Sequence, residues 1–201
     1  MTYGGFMNAK RTTLDTQRLV LAAILTAIVV VLQVMALVTR FVLPMFAINL
    51  VLIPIVIGAA VGGVAVGAWL GFVSGVAILI TDASAFFAIS IIGTILTVLI
   101  KGTASGMAAA CVYRLLEKKN RYVAVLCAAV ACPVVNTGIF VLGCLTFFMD
   151  TMRAWGAAAG FDNAFVFILL GLIGINFIIE LVINVVLSPV VLRLLDIRES
   201  K

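Results

Sequence analysis

The sequence predicts an all-α integral membrane protein, a bundle of six transmembrane helices with both termini in the cytoplasm. Hydrophobic residues make up 65% of the 201-residue chain, charged residues only 10%, and the mean hydropathy is +1.35. Soluble domains are about half apolar and about a quarter charged. The chain also contains a series of apolar stretches close to the roughly 20 residues that a helix needs to cross the hydrocarbon core. Lipid is therefore the solvent that this composition requires.

The predicted spans follow one another along the chain at residues 17–39, 47–62, 64–81, 88–113, 121–148 and 164–192. Only two glycines separate the second span from the third, but their combined length of about 35 residues exceeds that of one tilted helix. The first span follows two basic residues, as a signal peptide does, but no small-residue cleavage site comes after it, and we interpret it as a retained helix. Residues 17–195 thus form the membrane domain, and residues 1–16 and 196–201 form cytoplasmic tails, the first a loose tail or a short surface helix.

The basic residues predict the orientation. With six spans both termini share a side, which carries ten of the lysines and arginines, whereas the other side carries Arg40 and Arg153. The positive-inside rule places the richer side in the cytoplasm. The outer loops instead carry Asp82, Asp150 and Asp162. The net charge of +5 is therefore a topology signal, and it gives no reason to expect nucleic-acid binding.

The predicted outer loops are irregular and carry aromatic residues. They cover residues 40–47, 82–90 and 149–163, and the second contains Phe86 and Phe87. Because loops carry function more often than the elements they join, we expect a ligand site that opens outward. Asp82, Phe86 and Phe87 are candidates for it.

Two ionisable residues lie inside predicted spans. Lys101 lies near the midplane of the fourth span and Glu180 in the inner half of the sixth. A charge at the bilayer centre costs about 3 kcal/mol on insertion scales, so it usually faces the bundle interior and has a partner. Lys101 either pairs with Glu180 and holds the bundle together or contacts a polar or anionic ligand, and both interpretations stay open.

Asparagines add to this polar set. Asn136 lies in the middle of the fifth span, and Asn49 begins the second. Asn176 and Asn184 flank Glu180 at a spacing of four, which places the three on one face of the sixth helix. A polar face on an apolar helix should point inward, either for hydrogen bonding between helices or for a small polar ligand. The candidate ligand-binding residues are Lys101, Asn136, Asn176, Glu180, Asn49, Asp82, Phe86 and Phe87.

Small residues recur at a spacing of four. They are Gly63, Gly67, Gly71 and Gly75 in the third span, and Gly102 and Gly106 in the fourth. Such stripes let helix backbones approach closely in lipid, which predicts packing within the chain. Ala23 and Ala27 form a similar pair in the first span, which could face a neighbouring helix or a second protein.

The chain lacks the residues that several classes of function require. The chain has no histidine, and none of its four cysteines forms a C-x-x-C pair, so neither a zinc site nor a disulfide framework is indicated and no cofactor is expected. It has no G-x-x-x-x-G-K-[ST] phosphate loop, so it does not hydrolyse ATP itself.

A membrane enzyme acting on a lipid or a prenyl chain would have only Lys101 and Glu180 for acid–base chemistry. A stand-alone carrier or channel for a small polar molecule is the alternative, although no internal repeat supports it.

The chain resembles the substrate-binding S component of an energy-coupling factor (ECF) vitamin transporter over its whole length. The resemblance lies in residues 49–59 (NLVLIPIVIGA), 67–72 (GAWLGF), 93–96 (GTIL), 101–103 (KGT) and 132–140 (CPVVNTGIF). It implies a multi-pass protein of the plasma membrane that captures a micronutrient from outside at high affinity. The expected substrate is a B vitamin of the pantothenate, riboflavin or pyridoxine type, since a basic residue suits an anion and an aromatic loop suits a flat ring.

The resemblance also implies partners. A transmembrane coupling (T) protein and two cytoplasmic ATPases would drive uptake, so this chain would not be an enzyme. Ala23 and Ala27 match the first-helix motif of the family that docks on the coupling protein. The substrate site would lie near the outer face, walled by outer loops and by the fourth to sixth helices, and the S component would topple in the membrane to release its cargo.

Overall fold

The computed structural model describes the backbone of residues 3–42 and 50–199, and the side chains of residues 16–38, 50–174, 176–193 and 195. Over this part of the chain the regular structure is helical throughout, which confirms the all-α class. The helices are α1 (Tyr3–Val42), α2 (Leu52–Gly62), α3 (Val64–Thr81), α4 (Ser84–Phe87), α5 (Ile91–Leu116), α6 (Arg121–Phe147), α7 (Met149–Ala158), α8 (Ala164–Val166) and α9 (Gly174–Glu199). A π-helical segment, Phe167–Ile173, joins α8 to α9.

Five helices are long and apolar enough to cross a membrane, among the residues that the structure describes. These candidate spans are Thr16–Val38, Val64–Thr81, Ile91–Leu116, Arg121–Phe147 and Asn176–Arg193. The remaining predicted span, residues 47–62, appears as α2, whose 11 residues extend only about 16 Å against a hydrocarbon core of about 30 Å. The count of six crossings therefore stays a prediction.

Three predicted boundaries differ from the structure. The first helix already begins at Tyr3, where a tail or a separate surface helix was expected. The loops expected at residues 82–90 and 149–163 contain the short helices α4 and α7. Asp150 in the first turn of α7 forms an ion pair with Arg153 at 3.2 Å, and an acidic group there also opposes the positive end of the helix dipole.

Capping side chains set where three helices begin. Ser90 Oγ accepts a hydrogen bond from the backbone N–H of Gly93 at the start of α5. Asn120 Oδ1 accepts from the first residues of α6, and Asn163 Oδ1 accepts from Phe165 N at the start of α8. Such caps satisfy backbone donors that a helix leaves unpaired at its N-terminus. Gly63 makes the turn between α2 and α3 with a φ of +82°, a conformation that glycine adopts without steric cost.

The glycine stripes of α3 and α5 pack against each other, which confirms the prediction of packing within the chain. A Cβ atom on Gly67 would lie 2.6 Å from the carbonyl oxygen of Gly106, and one on Gly71 would overlap the carbonyl of Gly102. The two helix backbones are thus in direct contact. In lipid this van der Waals packing replaces the hydrophobic effect as the force between helices.

The bundle has two ends that differ in structure. The turn end holds Gly63 and residues 117–120, and the largest apolar cluster extends from there into the middle of the bundle. The loop end holds α4, α7, α8 and the π-helical segment. A smaller cluster of Cys144, Phe148, Met152 and Ile168 closes the loop end.

Candidate functional site

A cavity of about 390 Å³ lies towards the loop end of the bundle. Its walls come from the C-terminal parts of α1 and α3, from α4, from the N-terminal half of α5, from α6 and from the start of α9. Because α5 runs antiparallel to both α3 and α6, these parts of the helices lie at the same level. The cavity is therefore the place where the polar residues of several helices meet.

The structure brings together most of the candidate residues. Those that line the cavity are Asp82, Phe86, Lys101, Asn136, Asn176 and Glu180. Phe87, half-buried on α4, is not among the lining residues. Asn49 lies outside the described residues. The spacing of four that placed Asn176 and Glu180 on one face of the last helix indeed turns both towards this cavity.

Asn184, one turn beyond Glu180, has a different environment. It is buried, and its side-chain amide donates to the backbone carbonyl of Glu180 at 2.8 Å. This hydrogen bond satisfies the amide within its own helix. On the polar face of α9, Asn176 and Glu180 therefore line the cavity, whereas Asn184 is hydrogen-bonded within the helix.

The cavity wall contains two further polar residues that were not predicted from the sequence, Gln33 and Thr97. Gln33 on α1 is 6% exposed and Thr97 on α5 is 5% exposed. Gln33 interrupts an otherwise apolar stretch, and Thr97 lies four residues before Lys101 on the same helical face. Both signals were present in the sequence.

Three oxygens in the cavity wall are buried and have no hydrogen-bond partner among the described residues. They are Gln33 Oε1, Thr97 Oγ1 and Asn176 Oδ1. A buried acceptor without a partner costs about 1–3 kcal/mol, and most such groups in native proteins are paired. All three belong to residues that line the cavity. The two amide oxygens can only accept hydrogen bonds, whereas the Thr97 hydroxyl can donate or accept.

Lys101 lies beside an aromatic ring in the cavity wall. Its ammonium nitrogen lies 5.0 Å from the ring centroid of Phe140, within the range of a cation–π interaction. Asp82 and Glu180 line the same cavity. The cavity thus combines one cationic side chain with two carboxylates.

Phe86 is the centre of an aromatic cluster at the loop end. Its ring makes edge contacts with Phe140, Phe148 and Trp155, at centroid distances of 5.8, 5.1 and 6.0 Å. Successive residues of a helix point about 100° apart, which explains why α4 turns Phe86 and not Phe87 into this cluster. The cluster forms an apolar wall at the loop end of the cavity.

The first helix presents Ala23 and Ala27 on its outer surface, away from the cavity. Both alanines are exposed. Between them Thr26 donates to the carbonyl of Ala22 at 2.7 Å and accepts from the indole N–H of Trp69 on α3 at 3.1 Å. This contact fixes α1 against α3 and leaves the alanine pair accessible from outside the bundle.

The cysteines are separate thiols, exposed at Cys111, half-buried at Cys127, and buried at Cys132 and Cys144. Within the described part of the chain, no three His, Cys, Asp or Glu side chains form a group that could hold a metal ion. The polar groups of the cavity are amide, hydroxyl, carboxylate and ammonium groups, which suit hydrogen bonding to a small organic molecule.

Comparison with known proteins identifies the family. Residues 17–192 match the family model of the ECF transporter substrate-specific component, whereas searches of curated proteins and of solved structures find no match. The matched region spans the cavity and its walls. Such components are substrate-binding subunits of the plasma membrane and not enzymes, because the ATPase activity lies in partner subunits. The chain therefore belongs to the family of ECF transporter substrate-specific components.

Proposed function

We propose that this chain captures a small micronutrient of the B-vitamin type in the loop-end cavity, at high affinity. The observation that carries the proposal is the set of three unpartnered buried oxygens, of Gln33, Thr97 and Asn176, around one cavity. A substrate that forms hydrogen bonds with them would recover the free energy that their lack of partners costs.

The size and lining of the cavity support a vitamin-sized ligand. Its volume of about 390 Å³ lies within the range of about 300–1,000 Å³ that is typical of small-molecule sites. Such sites combine an apolar wall with a few placed polar groups. Phe86 would contact the face of the substrate, and Lys101, Asn136, Asn176 and Glu180 would bind its polar groups. Asp82 would lie at the entrance.

The charges support a cavity that opens to the outside. The turn end carries Arg114, Lys118, Lys119 and Arg121, whereas the loop end carries Asp82, Asp150 and Asp162 with Arg153. By the positive-inside rule the turn end would face the cytoplasm. Both termini would then be cytoplasmic, with residues 47–62 as the sixth crossing.

The exposed alanine pair supports docking on a membrane partner. Ala23 and Ala27 leave a shallow surface on α1, where another helix backbone could approach closely. We assign this surface to the transmembrane coupling protein, with two cytoplasmic ATPases driving uptake. The close backbone contact of α3 with α5 would let the bundle topple as one body during release.

Uptake into lipid vesicles tests the proposal. Vesicles that contain the chain alone should bind the vitamin without accumulating it. Vesicles that contain the chain together with the coupling protein, the two ATPases and ATP should accumulate it. Accumulation by the chain alone would contradict the proposal and favour a stand-alone carrier.

A further inference from the structure

We infer that the cavity selects a small heterocycle without net negative charge, whose N–H and O–H groups donate to the amide oxygens of Gln33 and Asn176 and which forms a further hydrogen bond with the Thr97 hydroxyl. This inference rests on the proposed function and narrows its substrate class. It favours vitamins without a carboxylate over those that carry one.

The hydrogen bonds of Gln33 leave its side-chain oxygen, an acceptor, without a partner. Its Nε2 group lies 3.2 Å from Thr81 Oγ1, and that hydroxyl donates its proton to the carbonyl of Ala77 at 2.9 Å. Since a hydroxyl has one proton, Thr81 Oγ1 accepts from Gln33, and the Gln33 amide is held in one orientation. Its Oε1 atom therefore requires a donor.

Thr97 differs from the threonine one turn before it. Thr94 Oγ1 donates to the backbone carbonyl of Ser90 at 2.7 Å, the usual arrangement of a threonine inside a helix. Thr97 Oγ1 has no such bond, although it is buried against Gly143 of α6. The hydroxyl of Thr97 thus lacks a partner among the described residues, whereas that of Thr94 is committed to its own helix.

The charges of the cavity disfavour an anion. Among the described lining residues, Lys101 contributes +1, and Asp82 and Glu180 contribute −2, which gives a formal charge of −1. The face of the Phe140 ring adds further negative potential next to the Lys101 ammonium. Like charges repel more strongly away from water, so a carboxylate-bearing ligand would be bound less well than an uncharged or cationic one. Lys101 would donate to a ring nitrogen or a carbonyl of such a ligand.

The aromatic wall favours a flat ring. Phe86, Phe140 and Phe148 meet edge-on in the cavity lining. Aromatic side chains add stabilisation beyond area burial when they contact another ring. A planar heterocycle with polar groups at its rim would bond the three unpartnered oxygens and would contact this aromatic wall with its ring.

Equilibrium binding to the purified full-length protein tests the charge rule. The probes are pyridoxine, thiamine and riboflavin, which lack a carboxylate, and pantothenate, biotin and folate, which carry one. We expect at least one member of the first group to bind, and all members of the second to bind at least about tenfold more weakly. Equal or tighter binding of a carboxylate-bearing probe would overturn the inference, as would the absence of binding by all six probes.

Thr97→Val provides a second readout with the best-binding probe. The variant keeps the shape of the side chain and removes an oxygen without a partner, so we expect affinity to fall by about fivefold while the melting temperature of the ligand-free protein does not fall. Thr146→Val is the matched control, because Thr146 is exposed on α6 and bonded to its own helix, and it should leave affinity unchanged. Unaltered affinity of Thr97→Val would overturn the role of this oxygen.

The proposed function is judged separately by the vesicle experiment, since accumulation by the chain alone would contradict it whatever the charge of the substrate.

Discussion

The ammonium group of Lys101 on α5 lies 5.0 Å from the ring centroid of Phe140 on α6, in the wall of the loop-end cavity. This contact places the half-buried cation beside the aromatic wall and within the polar lining. It joins the two helices that form the centre of the cavity.

Replacing Lys101 tests whether it contacts the substrate. We expect Lys101→Ala to weaken substrate binding by at least about tenfold, because hydrogen bonds to a charged group are worth about 1.5–3 kcal/mol. Lys118→Ala is the control, since Lys118 is exposed at the turn end, and it should bind as the wild type does. Isothermal titration measures both. Unchanged affinity of Lys101→Ala with a lower melting temperature would instead favour the structural ion-pair interpretation.

The two neighbouring phenylalanines of α4 should behave differently. Phe86 lines the cavity and contacts Phe140, Phe148 and Trp155, so Phe86→Ala should weaken substrate binding by about tenfold through loss of an aromatic contact. Phe87→Ala should change affinity by less than about twofold, because Phe87 is not in the lining. Titrations of the two variants side by side check this. Equal losses would show that the cavity wall is wrongly assigned.

The contact of α3 with α5 should tolerate no added methyl group. A Cβ on Gly71 would overlap the carbonyl of Gly102, so Gly71→Ala should destabilise the protein by about 1–3 kcal/mol. Gly138→Ala is the matched control, because a Cβ there meets nothing within 4 Å, and alanine is the better helix former by about 1 kcal/mol. Thermal unfolding in detergent should therefore move in opposite directions for the two variants. A Gly71→Ala protein as stable as the wild type would contradict the close packing.

The alanine pair of α1 should serve uptake and not binding. Ala23→Phe and Ala27→Phe enlarge an exposed surface, so substrate affinity should stay within about twofold of the wild type while uptake with the partner subunits falls at least about tenfold. Ile28→Phe replaces an exposed side chain that is already large and should retain uptake. Radiolabelled uptake in reconstituted vesicles provides the measurement. Survival of uptake in both alanine variants would exclude the docking role.

Much of the fold could be predicted from the sequence because apolar length and glycine spacing are local signals. The stripes at Gly67 and Gly71 and at Gly102 and Gly106 predicted the close helix contact that the structure has. The short helices α4 and α7 were not predicted, because residues that bear aromatic rings and charges near a helix end are equally typical of loops. The crossing at residues 47–62 also lacked support, since α2 has only 11 residues.

The candidate site was predicted in part for a physical reason. Lys101, Asn136, Asn176 and Glu180 interrupt apolar spans, and the cost of exposing them to lipid turns such residues inward. Gln33 carries the same signal, yet its role depends on Thr81, 48 residues away along the chain. Which oxygens lack a partner, and which phenylalanine of α4 faces inward, follows only from the packing of several helices together.

The most direct test of the capture site is the small molecule that the purified protein carries. Protein extracted in detergent is denatured, and the compounds that it releases are identified and quantified by mass spectrometry, for the wild type and for Asn176→Leu. We expect one enriched compound at about one molecule per chain in the wild type, and a loss of at least about tenfold in the variant, because Asn176 Oδ1 is one of the unpartnered acceptors. No enriched compound, or equal amounts from both proteins, would contradict it.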